Sequence, residues 1–311
     1  MSEINKKIIV FVSFNADITA TLKHFPKAGE SVLSDKSNIG PGGKGTNQAL
    51  SAAKSGGDVH FITKIGMDTF GQLAEDVINA SDIASKTLLK SESLPTGRAM
   101  IYVSQHDNDN MLVVFPGANA SVNDNDITCI NQYLVDSEIL LIQGENNLDA
   151  TEKLVKIAYQ HHKTIILNPA PYSEGIKKIL PFTDIVTPNE SEASLLSGLA
   201  ITDIKSAELA ARKISAMGPK TVLITLGARG VLIFDQQHFT HLAAFDSNPI
   251  DTTGAGDAFN GALVAGLAAH KNIIESASWA SAFASLAIER EGAANHPEIS
   301  DVNERLLNRK S

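Results

Sequence analysis

Segments that favour strands alternate with segments that favour helices along most of the chain, and this alternation most constrains the fold. Strands are predicted at 8–14, 59–65, 139–143, 164–167, 184–187, 221–226 and 231–234. Helices are predicted at 44–55, 69–80, 150–161, from 190, and at 206–217, 255–269 and 273–288. Strands that alternate with helices predict an α/β fold, with a doubly wound, mostly parallel sheet covered by helices on both faces.

Two stretches break this alternation. Short, mixed segments at 18–22 and 31–39 favour half-exposed strands, and strands at 97–104 and 111–115 are joined by a polar loop at 105–110. These stretches predict a small second sheet that serves as a lid. We therefore expect a single α/β domain over residues 1–311, with a lid inserted at about 16–39 and 95–117.

Composition excludes several classes of protein. The 311 residues carry a net charge of −9 and no long Lys/Arg run, which disfavours nucleic-acid binding. No apolar stretch reaches the roughly 20 residues that span a bilayer. The short apolar run after Lys6 and Lys7 is interpreted as a buried first strand rather than a signal peptide. The single cysteine, Cys129, allows no intrachain disulfide and fits a reducing compartment, so we expect a cytoplasmic location.

The glycine-rich stretch 251–261 (DTTGAGDAFNG) runs directly into an apolar segment of small residues. This pattern predicts a tight turn that opens a helix. The first N–H groups of a helix lack internal partners, so an anion can approach them where Gly254 and Gly256 carry no Cβ. Asp257 would lie in the first turn, where a carboxylate can accept the proton of a phosphorylated hydroxyl. The alternative is an aspartate favoured there only by the helix dipole.

Polar residues follow the predicted strands. They occupy 15–17, 143–145, 168–171, 187–190 and 225–227. In open α/β sheets, ligands bind beyond the carboxyl ends of the strands. The sequence therefore predicts a site at that edge of the sheet.

Two motifs point to other nucleotide-binding folds and are rejected. Gly43-Lys44 lacks the Ser or Thr and the earlier glycine of a P-loop. A dinucleotide fingerprint that starts at Gly254 would place its third glycine at Phe259 and comes late in the chain. A dehydrogenase is therefore not expected.

Three motifs together resemble those of a known family. GGKGTNQA at 42–49, TPNESE at 187–192 and the stretch 251–261 occur in the order found in the ribokinase-like (PfkB-type) carbohydrate kinases. The resemblance covers nearly the whole chain. It implies a doubly wound α/β domain with a small lid, and a homodimer in which the lids of two subunits clasp.

The resemblance also implies residue roles around the transferred phosphoryl group. Asp257 would be the catalytic base for the sugar's 5-hydroxyl, and Gly254, Ala255 and Gly256 would form the anion hole. We expect the helix dipole to keep Asp257 ionised and so to weaken it as a base.

Other positions match the family's binding residues. The sugar-contacting set is Asn15, Asp17, Gly43, Lys44, Asn47, Glu145 and Asp257. The ATP-contacting set is Asn189, Thr225, Gly227, Gly230, Gly256 and Ser281. Glu192 would order Mg²⁺ through water, although Asn189 and Glu192 also fit a helix cap with its partner. A site for a monovalent cation, K⁺, would be formed by Asp251, Thr253, Ala287, Arg290, Gly292 and His296.

Three residues depart from the family pattern. Ser281 stands where some members have a histidine near the adenine, Arg98 replaces an apolar lid residue, and His296 replaces a small residue. The resemblance implies ATP-dependent phosphorylation of D-ribose at O5, which gives ribose 5-phosphate and ADP. The alternatives are a related kinase for deoxyribose, a nucleoside or another sugar, and a non-catalytic sugar-binding paralogue.

Overall fold

The computed structural model describes residues 5–106 and 109–308. The strands are β1 Lys7–Val12, β2 Asn15–Leu22, β3 Lys36–Gly42, β4 Asp58–Gly66, β5 Ser85–Ser91, β6 Gly97–Ser104, β7 Asp109–Phe115, β8 Ile139–Ile142, β9 Thr164–Leu167, β10 Ile185–Val186, β11 Thr221–Thr225, β12 Val231–Asp235 and β13 His238–Leu242. The helices are α1 Lys44–Lys54, α2 Thr69–Asn79, α3 Asp124–Leu134, α4 Leu148–Gln160, α5 Glu190–Ser197, α6 Ile204–Ser215, α7 Ala255–Ala268, α8 Ile273–Ala287 and α9 Ile299–Leu307.

The larger sheet has nine strands in the order β13-β12-β11-β10-β9-β8-β1-β4-β5. From β11 to β5 the neighbours are parallel, and β12 and β13 are antiparallel additions at one edge. The predicted α/β class with a mostly parallel sheet is confirmed.

Helices cover both faces of this sheet, and β1 shows why its sequence is apolar at nearly every position. Ile9 and Phe11 pack into a core layer with α3, α4 and α6, whereas Ile8, Val10 and Val12 pack into a second layer with α1, α7 and α8. A strand buried on both faces needs apolar side chains in both directions.

The smaller sheet has the order β3-β2-β6-β7. β2 and β6 are parallel, while the pairs β2–β3 and β6–β7 are antiparallel. β3 begins at Lys36 rather than in the stretch predicted from 31, because its extent is set by pairing with β2, in which Gly42 faces Asn15. Asp109 and Asn110 lie in β7 rather than in the predicted loop, of which residues 107 and 108 lie outside the described residues.

Among the strands and α-helices of the described residues, β5, α3 and α9 were not predicted. β5 (SKTLLKS) carries lysines and obtains its order by pairing with β4. The start of α3 has a capping box formed by Asn123 and Asp126, a local signal from which the helix is predictable. Of the helices in the described parts of the chain, none combines the length and apolar character needed to cross a membrane.

Candidate active site

A cavity of about 170 Å³ lies at the carboxyl ends of the central strands. Residues at the carboxyl ends of β9, β10 and β11 meet the first turns of α1, α5 and α7 there. The lining consists of Lys44, Asn168, Ala170, Thr187, Asn189, Glu192, Thr225, Thr252, Gly254, Ala255, Gly256, Asp257 and Asn260. The cavity is therefore at the edge of the sheet where the strand-end pattern placed a ligand site.

The start of α7 forms one wall of the cavity. Gly254 is the N-cap residue with φ 77°, and no side chain of the described residues caps this helix end. The N–H of Ala255 donates to Thr252 O at 3.2 Å, and the first intrahelical bond joins Ala258 N to Gly254 O at 2.8 Å. The N–H groups of Gly256 and Asp257 precede that bond, so they are the donors that this helix end offers to an anion.

Asp257 is 7% exposed, and both of its carboxylate oxygens accept from amides of α1. Gln48 Nε2 donates to Oδ1 at 2.9 Å, and Asn47 Nδ2 donates to Oδ2 at 3.3 Å. Burial raises the pKa of Asp257 to about 6, against the lowering effects of Lys44 and the two amides. The expectation of a weakened base is therefore wrong: burial outweighs the favourable charges, and Asp257 still ionises below neutral pH.

Behind Asp257 lies a chain of buried amides. Gln48 Nε2 also donates to Asn168 Oδ1 at 3.0 Å, and Gln48 Oε1 accepts from Gln143 Nε2 at 2.8 Å. Asn168 Nδ2 donates to Thr187 O at 3.0 Å. Gln48 lies in the GGKGTNQA motif, but the sequence analysis assigned it no role. Nothing in the local sequence around this glutamine indicates its contact with Asp257.

A second group of polar residues adjoins the start of α1. Glu145 Oε2 accepts from Lys44 N at 2.8 Å and from the hydroxyl of Ser13. Gly43 has φ 94°, and a Cβ there would lie 2.6 Å from Ser13 O. Glycine is thus required for this close approach of α1 to the end of β1. Ser13, which the sequence analysis did not single out, holds Glu145 in place.

Asn15 and Asp17 project from the start of β2. Asn119 Nδ2 donates to Asn15 Oδ1 at 3.0 Å, and Asn119 is itself held by Phe14 N at 3.1 Å and Phe14 O at 2.9 Å. Burial, with a smaller contribution from Glu145, raises the pKa of Asp17 to about 7. The Glu145 carboxylate acts electrostatically on both Asp17 and Asp257, and Asn47 donates to Asp257. Of the predicted sugar set, Lys44 and Asp257 line the cavity.

The start of α5 also lines the cavity, through Asn189 and Glu192. Asn189 Oδ1 accepts from Glu192 N, and Glu192 Oε2 accepts from Asn189 N, both at 2.9 Å. Burial raises the pKa of Glu192. Thr225 N donates to Pro188 O at 3.0 Å, which joins β11 to this helix start.

Three residues of the predicted ATP set lie outside the cavity lining: Gly227, Gly230 and Ser281. Gly227 and Gly230 have φ 57° and 89° and flank the turn after β11, and neither lines the cavity. The hydroxyl of Ser281 donates to Ala277 O at 2.8 Å within α8, and Ser281 is not a lining residue either. Arg229, between the two glycines, pairs with Glu190 at the start of α5.

Asp251 joins the two segments of the predicted cation site. Its Oδ1 accepts from Thr253 N at 2.9 Å, and its Oδ2 accepts from Gly292 N at 3.0 Å. The Arg290 guanidinium points away to Asp301 at 3.3 Å, and the ring of His296 packs against Phe283. Within 5–106 and 109–308, no group of three or more His, Cys, Asp or Glu residues is placed to hold a metal ion. Backbone carbonyls would have to supply most ligands at this site.

Arg98 lies on the face of β6 opposite to Asp17. In the pairing of β2 with β6, Arg98 is opposite Ala16, and its guanidinium lies 5.5 Å from the Phe70 ring and 5.4 Å from the Phe115 ring. Successive residues of a strand point to opposite faces, so this side chain is directed to α2 rather than to the sugar set.

Comparison with known proteins agrees with this geometry. A family model described as pfkB family carbohydrate kinase matches residues 5–300. The chain belongs to the pfkB family of carbohydrate kinases. Among curated members, a ribokinase of Haemophilus influenzae is 34% identical over 93% of this chain and 94% of its own length. A deoxyribokinase of Salmonella typhi is 28% identical over 96% of this chain and 98% of its own.

Solved structures give the same picture of this pfkB kinase. The Arabidopsis thaliana ribokinase in complex with ribose and ATP has a TM-score of 0.88 and 27% identity, covering 97% of this chain and 99% of that one. The expected family is confirmed, and the protein is a sugar kinase of the ribokinase type.

Proposed function

We propose that this pfkB kinase phosphorylates D-ribose at O5 with ATP, giving ribose 5-phosphate and ADP. The observation that carries the proposal is the position of Asp257. Its carboxylate contacts Asn47 of the sugar set, and its helix opens with free N–H groups towards the cavity. A hydroxyl beside Asp257 would therefore meet a base on one side and an anion-binding helix end on the other.

In this mechanism the O5 oxygen of the sugar bonds to the γ-phosphorus while the bond from that phosphorus to the oxygen of ADP breaks. Asp257 accepts the proton that the 5-hydroxyl loses. A loose transition state spreads negative charge over the transferred phosphoryl oxygens. The N–H groups of Gly256 and Asp257 and the positive end of α7 stabilise that charge, in the turn formed by Gly254 and Ala255. The Lys44 ammonium, which also lines the cavity, adds to the same effect.

Several directed hydrogen bonds would hold the sugar. In the described part of the chain, Asn47 Oδ1 is buried without a hydrogen-bond partner, which makes it an acceptor for a hydroxyl. Asn119 occupies Oδ1 of Asn15 and so leaves the Asn15 amide N–H groups for the sugar. Asp17, Gly43, Lys44 and Glu145 complete the set.

Asn189, Thr225, Gly227, Gly230, Gly256 and Ser281 are proposed to contact ATP. The Arabidopsis relative, solved with ATP, supports this nucleotide. ATP is an intracellular cosubstrate, and this favours the cytoplasmic location predicted from composition.

Glu192 fits the proposed Mg²⁺ role because Oε2 accepts from the Asn189 N–H, while the other carboxylate oxygen has no hydrogen bond within the described residues and would accept from a metal-bound water. Mg²⁺ would neutralise charge on the β- and γ-phosphate oxygens. A K⁺ ion would be held mainly by carbonyls of 251–253 and 287–296, which Asp251 joins next to the anion hole.

The smaller sheet is proposed to act as a lid, at about 16–39 and 95–117, and to clasp a second copy of the chain. Its edge strand β7 exposes Met111, Leu112, Val113, Val114 and Phe115, each between 41% and 55%. A long apolar edge strand of this kind is usually covered by a partner. Sedimentation should show a dimer, and a variant with lysine at both Leu112 and Val114 should sediment as a monomer. A monomeric unmodified protein would contradict the clasp.

A coupled turnover assay with ATP and Mg²⁺, with and without K⁺, tests the substrate. Ribose, deoxyribose, fructose and adenosine should be compared by kcat/KM. Ribose-selective turnover that K⁺ stimulates is expected. Deoxyribose is the second candidate because of the similarity to the Salmonella typhi deoxyribokinase. Faster turnover of deoxyribose or adenosine would refute the ribose assignment and leave the kinase chemistry of Asp257 intact.

A further inference from the structure

We propose that Gln48 is a positioning residue for the transfer: its amide anchors Oδ1 of Asp257 and thereby leaves Oδ2 to take the proton of the sugar hydroxyl. The inference rests on the proposed role of Asp257. It concerns a side chain that is fully buried and does not itself line the cavity, and that acts through its hydrogen bond to Asp257.

The orientation of the Gln48 amide follows from its neighbours. An ionised carboxylate only accepts hydrogen bonds, so the part of Gln48 that faces Asp257 Oδ1 must be the NH₂ group. Its carbonyl then faces Gln143, which donates to it at 2.8 Å. At the other end of the chain, Thr187 O is also a pure acceptor, so Asn168 must present its NH₂ there and its oxygen to Gln48.

The amide chain therefore requires Oδ1 of Asp257 to be an acceptor in both protonation states. A proton on Oδ1 would bring two donors together at Gln48 Nε2, so the proton that Asp257 takes up must lie on Oδ2. Asp257 and Asn168 accept from the Gln48 NH₂ group, and Gln143 donates to its carbonyl. A 180° flip of the Gln48 amide would therefore break these hydrogen bonds.

The two oxygens of Asp257 are held unequally. The bond from Gln48 to Oδ1 is 2.9 Å long, close to the usual length, whereas the bond from Asn47 to Oδ2 is 3.3 Å. Asn47 also belongs to the proposed sugar set and would exchange partners when the sugar binds. Oδ2 is thus the oxygen free to form a bond to the hydroxyl proton as the hydroxyl O–H bond breaks.

Charged groups on the neighbouring elements act on the same carboxylate. Lys44, at the start of α1, favours its ionised form, and Glu145, after β8, opposes it. Glu192 on α5 also lines the cavity. Loss of the Gln48 donor removes one of the few contacts that favour the carboxylate against its burial, so protonation should then occur at higher pH.

The test compares Gln48→Met, which keeps the length of the side chain, with Ser51→Ala one turn along α1. Ser51 is also buried and donates to Ala258 O at 2.8 Å, so it joins α1 to α7 without touching Asp257. Gln48→Met should lower kcat about 10- to 100-fold, the worth of one hydrogen bond to a charged group, with sugar KM changed less than about threefold. The acid limb of its pH–rate profile should move up by about one unit.

Ser51→Ala should lower the melting temperature and leave the acid limb in place. Gln48→Glu is a second variant that keeps the shape of the side chain and places a carboxyl group beside Asp257. The acid limb of its pH–rate profile should also move to higher pH. Infrared difference titration of the carboxyl band, with Asp257→Asn as reference, reads the same protonation without turnover.

Wild-type kcat and acid limb in Gln48→Met would overturn the inference, as would a rise in sugar KM at unchanged kcat. The activity of Asp257→Asn distinguishes a failure of the proposed function from a failure of the Gln48 inference. If Asp257→Asn keeps its turnover, the role of Asp257 is wrong. If Asp257→Asn is inactive while Gln48→Met is normal, only the role of Gln48 is wrong. Both measurements use whichever sugar the enzyme turns over fastest.

Discussion

Two helix starts, those of α5 and α7, line the cavity, and they differ in how their first N–H groups are satisfied. At α5, Asn189 and Glu192 form a reciprocal capping box that satisfies the helix end with its own side chains. At α7, Gly254 offers no capping side chain, and the N–H groups of Gly256 and Asp257 stay open to the cavity. Other helices, such as α4 and α9, also begin without a capping side chain. The uncapped end of α7 differs because it lines the cavity, where a bound anion would satisfy its N–H groups.

The contrast extends to the acids in these first turns. Glu192 is bound to the backbone of its own helix start, whereas Asp257 is bound by side chains of a different helix, α1. The contacts of Glu192 stabilise the start of α5, whereas the contacts of Asp257 orient its carboxylate. Four substitutions test this difference.

Asp257→Asn should have the largest effect. It removes the base and keeps the shape, so kcat should fall by at least about 1,000-fold. Sugar binding, measured by calorimetry, should change little. Retention of near-normal turnover would show that the acid of α7 is structural, like that of α5.

Gly256→Ala should come next, with a loss of kcat of about 100-fold. A Cβ on Gly256 meets no atom within 4 Å, so the methyl group would project into open space on the cavity side rather than into packed protein. Because alanine favours helix more than glycine does, thermal unfolding should occur at the same or a higher temperature. Full activity in a stable variant would refute the anion hole.

Glu192→Gln should have a smaller effect. Glutamine can still accept from Asn189 N, so the capping box and the melting temperature should be preserved. The lost charge should raise the Mg²⁺ concentration for half-maximal activity about tenfold, measured by titration at fixed ATP. An unchanged Mg²⁺ dependence would show that Glu192 only caps α5 and has no role in Mg²⁺ binding.

Asp17→Asn should have the smallest effect on the fold, and it concerns a half-buried acid whose carboxylate lies against Gly42, just before the start of α1. The folded protein holds a proton on Asp17 up to about pH 7, whereas the unfolded chain releases it near pH 4. Wild-type stability should therefore fall as pH rises between these values.

Calorimetry at pH 8 should accordingly find Asp17→Asn a few degrees more stable than wild type, with the difference gone below about pH 4. Sugar affinity should decrease in the same variant. Equal melting temperatures at both pH values would show that Asp17 is not strained by burial.

Much of the site could be predicted from local patterns. The glycine turn before a small-residue helix correctly indicated that α7 begins at Ala255 with Asp257 in its first turn. Polar residues after strands correctly indicated the edge at which Asn168, Thr187 and Thr225 meet. These features depend on residues that are neighbours in the chain, which is why a single sequence contains them.

What only the tertiary structure decided depends on residues far apart. The partner of Asp257 Oδ1 is Gln48, 209 positions away, and the burial that raises the pKa of Asp257 comes from several elements packed together. β5 and the start of β3 are likewise set by their neighbours in the sheet. Sequence determined which groups carry the chemistry, because turn and helix signals are local. The protonation and aim of those groups required the fold, because dielectric environment and hydrogen-bond partners are properties of packing.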